Sequence, residues 1–423
     1  MISIHPQPET AQITDTSYQT GCVLISGGLL LFKFYSTWHN ASYYCLAVAS
    51  QRPKLNQTIE TPALYEPAKA ERRKNGFDFL RLLFAFLVIL AHAPVQLAGK
   101  AGRAHEWFVR FTHGQYTLGD MAVDGFFLIS GYLITQSWHS SASWKDYLLK
   151  RVGRIYPGFL VAALFSTWLL GYWANTQRVG YVSSHHIAWF IIYAAVLQIY
   201  SPVVLQGVAV PSVNGSSYTI QYEFVCYVLV MLLACCRKLS KWVVLSLIAV
   251  LILLALPGMP LHPPVALLPY PHIFPLFLLS TPGRYPRFFL YFLTGCLFWL
   301  FRDRIRYTGM IFAVSVAGFV AAILVSSLAF LLAPCFAYII FFTAFRCPSP
   351  LHHIARYGDF SYGLYLYAWP VAMALLWVSH NQIGVTPLIL FTFIGGMFCA
   401  IFSWHLIEKP CLRYVHKVSN KQI

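Results

Sequence analysis

The chain has 423 residues, of which 58% are hydrophobic and only 10% charged, and its mean hydropathy is +0.60. Ordinary soluble domains carry about 25% charged residues, so this composition excludes a soluble globular protein. The formal net charge of +16 could suggest a nucleic-acid partner, but the basic residues form short clusters between apolar runs, as in the loops of membrane proteins. We therefore predict an integral membrane protein that contacts the lipid bilayer and no nucleic acid.

Residues 1–70 differ from the rest of the chain because they contain a single short apolar stretch, Cys22 to Phe32. This stretch is too short to cross a hydrocarbon core of about 30 Å. We predict that residues 1–70 form a poorly structured extension or result from a mis-assigned start. The alternative is that they contain a first membrane span. Residues 71–416 are the predicted membrane domain, and 417–423 a short cytoplasmic tail.

Apolar runs long enough to span a bilayer recur from Phe77 to Leu406, which predicts an all-α polytopic membrane protein. The ten cysteines include no C-x-x-C pair, so we predict buried apolar residues and no metal site. The predicted spans are 77–96, 119–138, 157–175, 218–235, 242–257, 286–301, 308–325, 328–345, 361–379 and 387–406.

An eleventh apolar run, 187–203, decides the topology. If it does not cross, twenty basic residues lie on one side of the membrane and six on the other; if it crosses, two basic clusters change sides. The positive-inside rule therefore selects about ten transmembrane helices with the N- and C-termini cytoplasmic. The run 187–203 is then re-entrant or lies on the surface, which is tolerated where backbone packs against protein.

Ionisable residues inside spans are costly and indicate function. Arg81 and His92 lie on one face of the first span, about 16 Å apart along its axis. Asp124 and Glu223 lie about six and five residues into their spans, which predicts the same depth as His92. A carboxylate that orients a histidine leaves its other nitrogen free to act as a base.

Each of these residues also has a structural interpretation. Arg81 could extend its charge to the membrane surface, and Asp124 or Glu223 could pair with a neighbouring helix. Ser130-Gly131 could be a notch for close helix packing. Four further candidates are Arg151, Arg154, Tyr362 and Tyr365. The two arginines could be topology charges or could bind the phosphates of coenzyme A. The two tyrosines could be interfacial aromatics or could bind substrate.

Six segments, in chain order over 77–413, resemble the motifs of the acyltransferase-3 family of membrane O-acyltransferases. Singly they are weak, but six in order are specific. They are FDFLRLLFAFLVILAHA with Arg81 and His92, VDGFFLISGYLIT with Asp124 and Ser130, KRVGRIYP with Arg151, Arg154 and Tyr156, SSYTIQYEFVCY with Glu223, GDFSYGLYLYAWPV with Ser361, Tyr362 and Tyr365, and HLIEKPCLR with Glu408.

The resemblance implies an acyltransferase for groups other than aminoacyl groups, in a bacterial inner membrane. Its donor would be a cytoplasmic acyl-CoA, typically acetyl-CoA, and its acceptor a hydroxyl of a cell-surface carbohydrate or glycan. Acyl-CoA is a substrate here, and no bound cofactor is implied. Arg81 and His92 would be essential, with His92 as the base, and Asp124 or Glu223 would hold it. The substrate-binding residues would be Ser130, Arg151, Arg154, Tyr156, Ser361, Tyr362 and Tyr365.

The chain departs from the family pattern at Ala368, where a histidine is usual, and more mildly at Tyr218, where a tryptophan is usual. A role for that histidine is therefore absent or moved. The competing hypothesis is a proton-coupled transporter or flippase of lipid-linked sugar that uses the buried charges as a relay. A scaffold in a glycan-assembly complex is a weaker alternative, because a scaffold has no need to bury such charges.

Overall fold

The computed structural model describes residues 20–25, 28–33, 75–114, 116–170, 172, 182–201, 207–210, 212–255, 285–325, 331–346, 348, 351, 354 and 358–420. The chain divides into two compact units, Met1–Ala70 and Glu71–Ile423. In the first unit, strands β1 (Thr20–Ile25) and β2 (Gly28–Lys33) pair antiparallel as a hairpin. The hairpin contains the short apolar stretch. The rest of the predicted extension lies outside the described residues.

The second unit is helical in its described part. Two π-helical segments, Phe165–Leu170 and Trp404–Glu408, continue α4 and α12. The helices are α1 (Phe77–His105), α2 (Trp107–Phe111), α3 (Leu118–His139), α4 (Trp144–Leu164), α5 (Ser184–Ala195), α6 (Tyr218–Cys235), α7 (Lys241–Ala255), α8 (Tyr285–Leu300), α9 (Gly309–Leu324), α10 (Leu332–Arg346), α11 (Ser361–Val378), α12 (Val385–Ser403) and α13 (Lys409–Asn420).

Within the described residues, five helical segments are long and apolar enough, by length and composition, to cross a membrane. The helices α7 to α10 are also apolar but shorter. The number of ten spans and the cytoplasmic position of both termini stay predictions. The five long segments are Phe77–Gly99, Leu118–His139, Tyr218–Cys235, Ser361–Val378 and Val385–Ser419.

Helix α4 differs from its predicted span, 157–175, because it begins thirteen residues earlier. Ser143 caps its first turn by accepting a hydrogen bond from the backbone N–H of Asp146 at 3.2 Å. Arg151 and Arg154, interpreted from the sequence as loop residues, therefore belong to a helix. Because they are three residues apart, their side chains lie on neighbouring positions of one helical face.

Helices α1 and α3 pack antiparallel along their length. The rings of Phe77 and Tyr132 meet at one end, with centroids 5.5 Å apart. At the other end, a Cβ added to Gly119 would lie 3.1 Å from the Cβ of Ala91. This register places the start of α3 level with His92 and its middle level with Arg81. We call the two ends of the bundle the Arg81 end and the His92 end.

Helices α3 and α8 approach each other closely enough for their backbones to touch. A Cβ added to Gly131 would lie 2.0 Å from the carbonyl oxygen of Phe292, and one added to Gly295 would lie 2.1 Å from that of Leu128. Only glycine at both positions permits this reciprocal contact. The predicted packing notch at Ser130-Gly131 is thereby confirmed.

The ambiguous run 187–203 overlaps α5, which begins three residues earlier and whose twelve residues rise only about 18 Å. Phe190 packs against Trp168, with ring centroids 5.8 Å apart. The carbonyl of Ala195 accepts a hydrogen bond from the Tyr156 hydroxyl at 2.8 Å. The chain then reverses and brings the carbonyl of Tyr200 to the Thr167 hydroxyl at 2.5 Å. The described part of this run therefore packs along α4 and its π-helical continuation and turns back beside them. Its re-entrant position in the membrane stays a prediction.

Candidate active site

A cavity of about 210 Å³ lies among α1, α3, α4, α6, α11 and α13. Three of the predicted site residues, His92, Asp124 and Tyr156, are not among those that line it. The other eight line it together, although they come from five of the six motif segments: Arg81, Ser130, Arg151, Arg154, Glu223, Ser361, Tyr362 and Tyr365.

Two arginines of the cavity wall are bound to carboxylates. Asp359 Oδ2 accepts hydrogen bonds from Arg81 Nη1 at 2.7 Å and from Arg154 Nη2 at 2.5 Å. Arg154 also donates from Nη1 to Glu408 at 3.1 Å, and Ser361 donates to Asp359 Oδ1 at 2.6 Å. Two cations face two carboxylates, so the group is close to neutral. It ties α1, α4, the start of α11 and the end of α12 together.

Asp359 precedes α11 and lies outside its apolar span. Burial by itself would raise the pKa of the Asp359 carboxyl, but the guanidinium groups of Arg81 and Arg154 outweigh burial. They hold that pKa well below its ordinary value. The carboxylate is therefore ionised at any physiological pH and carries the negative charge that faces the two guanidinium groups.

Glu223 lies in the middle of the cavity wall. Its Oε1 accepts hydrogen bonds from the Ser130 hydroxyl at 2.8 Å and from the Tyr227 hydroxyl at 2.6 Å. Ser130 is six residues beyond Asp124 on α3, which is about 9 Å toward the Arg81 end. The prediction that Glu223, Asp124 and His92 share one depth is therefore wrong, and Glu223 is level with Arg81.

The reason for this difference is that α6 begins inside the bundle. The loop before it is held by α11: the side-chain amide of Asn214 donates to the Leu366 carbonyl at 3.0 Å, and Trp369 Nε1 donates to the Ser212 carbonyl at 2.9 Å. Counting residues from the start of each apolar run assumes that all runs start at the membrane surface. Here the polar segment 212–217 extends inward instead, so Glu223 lies deeper than predicted.

Arg151 differs from the other two arginines of the cavity. Within the described part of the chain it forms no ion pair, and its buried Nε has no hydrogen-bond partner. Its guanidinium lies over the ring of Tyr227, 6.0 Å from the centroid. The neighbouring Lys150 is paired with Asp146 at 2.7 Å. Among the described residues, Arg151 is thus a cation of the cavity wall without a carboxylate in ion-pair contact.

His92 packs edge-to-face on Trp369, with ring centroids 4.9 Å apart. Among the residues that the structure describes, none forms a hydrogen bond with its imidazole. The predicted contact between His92 and a carboxylate is therefore not present. Asp124 and Glu223 are held by other partners, and His92 is separated from the cavity by the turn of α11 between Tyr365 and Trp369.

Asp124 is fully buried and pairs with a neighbouring helix. It accepts hydrogen bonds from Arg287 Nη2 at 2.9 Å and from the Tyr116 hydroxyl. Arg287 also donates to Asp120 at 2.9 Å. The geometry is that of the structural interpretation, in which Asp124 joins α3 to α8.

The remaining predicted residues contribute mainly their rings. The hydroxyl of Tyr362 donates to the Ile155 carbonyl at 2.8 Å, and that of Tyr365 to the Ser216 carbonyl at 2.7 Å. The Tyr156 hydroxyl instead holds α5. Substrate binding by these three residues stays a prediction. Ala368, at the position of the family histidine, is buried.

The comparisons with known proteins agree with this arrangement. A family model described as an acyltransferase domain matches residues 74–408, which is most of the chain. The chain belongs to the acyltransferase-3 family. As the resemblance implied, it is an O-acyltransferase of groups other than aminoacyl groups, and an integral membrane protein.

Two relatives match over nearly their whole length. The chain is 27% identical over 344 residues to the O-acetyl transferase of Shigella phage Sf6, which covers 80% of this chain and 96% of that protein. It is 26% identical over 359 residues to nodulation protein 10 of Rhizobium leguminosarum bv. viciae, covering 80% and 94%. No solved structure matches the chain significantly.

Three residues of this acyltransferase were missed from the sequence. Asp359 stands within the late motif but was passed over in favour of its serine and tyrosines. Arg287 was counted as a loop charge although it is the third residue of α8. Tyr227 follows Glu223 by one turn, the spacing at which side chains on a helix meet. A basic residue at the start of an apolar run, and a hydroxyl one turn from a buried acid, were the available signals.

Proposed function

We propose that this acyltransferase moves an acyl group, typically acetyl, from a cytoplasmic acyl-CoA to a hydroxyl of a cell-surface carbohydrate or glycan, in a bacterial inner membrane. The observation that carries the donor assignment is Arg151, a cation of the cavity wall that forms no ion pair within the described part of the chain. An anionic donor supplies the missing charge. The excess of basic residues in the loops at the Arg81 end supports the assignment of that end to the cytoplasm.

The cavity offers the groups that an acyl-CoA requires. Lys150, Arg151 and His416 lie where α4 and α13 line it, and suit the phosphates of the donor. The hydroxyls of Ser130 and Tyr227, with Glu223 between them, lie farther in. They suit the polar pantetheine arm and thioester. Arg81 and Arg154, being neutralised by Asp359 and Glu408, shape this wall rather than bind the phosphates.

His92 stays our proposed base for the acceptor hydroxyl. Within the described residues its imidazole forms no hydrogen bond, so no protein group holds either ring nitrogen there. For transfer with His92 as the base, the acceptor hydroxyl has to reach the thioester from the His92 end, past the turn of α11 between Tyr365 and Trp369. Glu223 lies beside the thioester in this arrangement and would act on it from the cavity side.

The same His92 end faces the cell surface in the predicted topology, so the acceptor would enter there. The O-acetyl transferase named among the relatives supports an acetyl donor for this chain. The competing hypothesis of a proton-coupled transporter or flippase is not carried forward, because the chain belongs to a family of acyltransferases.

The test uses the full-length protein in vesicles with acetyl-CoA on the Arg81 side, and mass spectrometry of surface glycans from cells with and without it. We expect an ester mass on a glycan that is lost in the His92→Ala variant, while membrane insertion is unchanged. A matched control is His139→Ala. The ring of His139 packs on Trp299 away from the cavity, so we expect this variant to retain acyl transfer.

Two outcomes would contradict the proposal. Product formation by His92→Ala at the wild-type rate would remove His92 as the base and leave Glu223, tested as Glu223→Gln, in its place. Movement of a sugar substrate without consumption of acetyl-CoA would contradict acyl transfer itself.

A further inference from the structure

The cavity is polarised along its length. Helix α3 lines it from Val123 to Ile134, eleven residues or about 16 Å. The basic residues lie at the Ile134 end, where α4 and α13 approach. The opposite end, toward His92, is lined mainly by apolar side chains, Val123, Phe126 and Ile220. We call it the blind end, because the packed rings of Phe126 and Tyr365 form its wall.

The blind end is closed by side chains whose polar atoms are already bound. The Tyr365 hydroxyl lies 2.5 Å from Thr219 Oγ1 and 2.7 Å from the Ser216 carbonyl. The Phe126 ring packs edge-to-face on Tyr365 and on Phe84, with centroids 5.7 Å apart in both pairs. The surface that faces the cavity here is therefore apolar, and Phe126 is fixed from two sides.

We infer that this blind end holds the acyl chain of the donor and that Phe126 limits its length to a short chain. The inference rests on the proposed function, because it uses the donor orientation given there. With phosphates at the basic end and the thioester near Ser130 and Glu223, the acyl chain is the part of the donor that extends farther.

The space beyond Ser130 is small. Phe126 is four residues from Ser130, one turn or about 6 Å along α3. An apolar wall at that distance accommodates an acetyl chain and excludes chains several methylenes longer. The Phe126 ring packs against two aromatic neighbours, so displacing it would cost packing energy.

The experiment measures thiol release from acetyl-CoA, butanoyl-CoA and hexanoyl-CoA by the full-length protein in membrane vesicles of cells that carry the acceptor glycan, with Phe126→Ala compared with Leu133→Ala. Leu133 lines the same cavity from the same helix, two turns nearer the basic end. We expect Phe126→Ala to raise the ratio of hexanoyl to acetyl turnover roughly tenfold or more. Leu133→Ala should leave that ratio at the wild-type value, whatever its effect on overall turnover.

Equal ratios in the two variants, or a wild-type protein that uses hexanoyl-CoA as well as acetyl-CoA, would overturn the inference. If Phe126→Ala fails to fold, Phe126→Leu and Ile220→Ala enlarge the same end more gently and should shift the ratio in the same direction. Failure of the proposed function has a different signature, since then the wild-type protein releases no free CoA thiol from any of the three donors.

Discussion

Arg154 and Asp359 are joined by a hydrogen bond of 2.5 Å between Nη2 and Oδ2, and the same carboxylate oxygen binds Arg81. One oxygen thus connects the basic motif of α4 with the first helix and with the residues before α11. The partners are 205 and 278 positions apart in sequence from Asp359. Because three distant segments meet at this atom, it is a sensitive point for both stability and cavity shape.

We expect Asp359→Asn to destabilise the protein by about 3–5 kcal/mol, since it leaves two arginines without their shared charge. Its matched control is Asp303→Asn, which removes a carboxylate that is paired with Arg302 at 3.4 Å but is 80% exposed. That change should stay within about 0.5 kcal/mol. Thermal unfolding of the detergent-solubilised variants measures both. A smaller loss for Asp359 than for Asp303 would contradict the role of Asp359.

The same pair predicts a pH dependence. Because the folded-state pKa of Asp359 is held below its ordinary value, its contribution is fully present above the ordinary carboxyl value of about 3.9. It is lost only as the pH falls from there through the folded-state pKa. The difference in melting temperature between wild type and Asp359→Asn should therefore be constant from pH 8 to 5 and shrink below about pH 4. A difference that closes between pH 7 and 5 would show that the carboxyl protonates there.

Arg151 and Arg154 should separate into a binding residue and a structural one. Arg151 forms no ion pair in the described part of the chain, so we expect Arg151→Gln to raise the KM for acyl-CoA roughly tenfold while stability is largely kept. Arg154 binds two carboxylates, so Arg154→Gln should lower the melting temperature even without donor. Measuring both quantities for both variants is the test, and equal losses of stability would contradict the division.

Asp124 and Arg287 should behave as a coupled pair. We expect Asp124→Asn and Arg287→Gln each to destabilise the protein, and the double variant to lose less than the sum by about 1–3 kcal/mol. Chemical or thermal unfolding of all four proteins measures this coupling. Strictly additive losses would show that the two residues act independently, and a loss of acyl transfer by Asp124→Asn without loss of stability would restore its predicted catalytic role.

Some of these features could be predicted from the sequence because they depend on local composition. Apolar runs predicted the helices within a few residues in most cases, since length and hydrophobicity alone decide whether a segment can lie in a bilayer. The helix α4 was the exception, because its first half carries Lys150, Arg151 and Arg154 and so resembles a loop. Burial of those cations against the cavity cannot be read from a hydropathy pattern.

The sequence by itself determined the membrane class, the motif order and therefore the family, because these depend on residue types and their spacing along one chain. Only the tertiary structure decided which residues meet. It separated Glu223 from His92, since the segment before α6 extends into the bundle. It paired Asp124 with Arg287. It also brought Arg81 and Arg154 to the carboxylate of Asp359, because ion pairs between distant segments depend on how helices pack rather than on the depth counted along each of them.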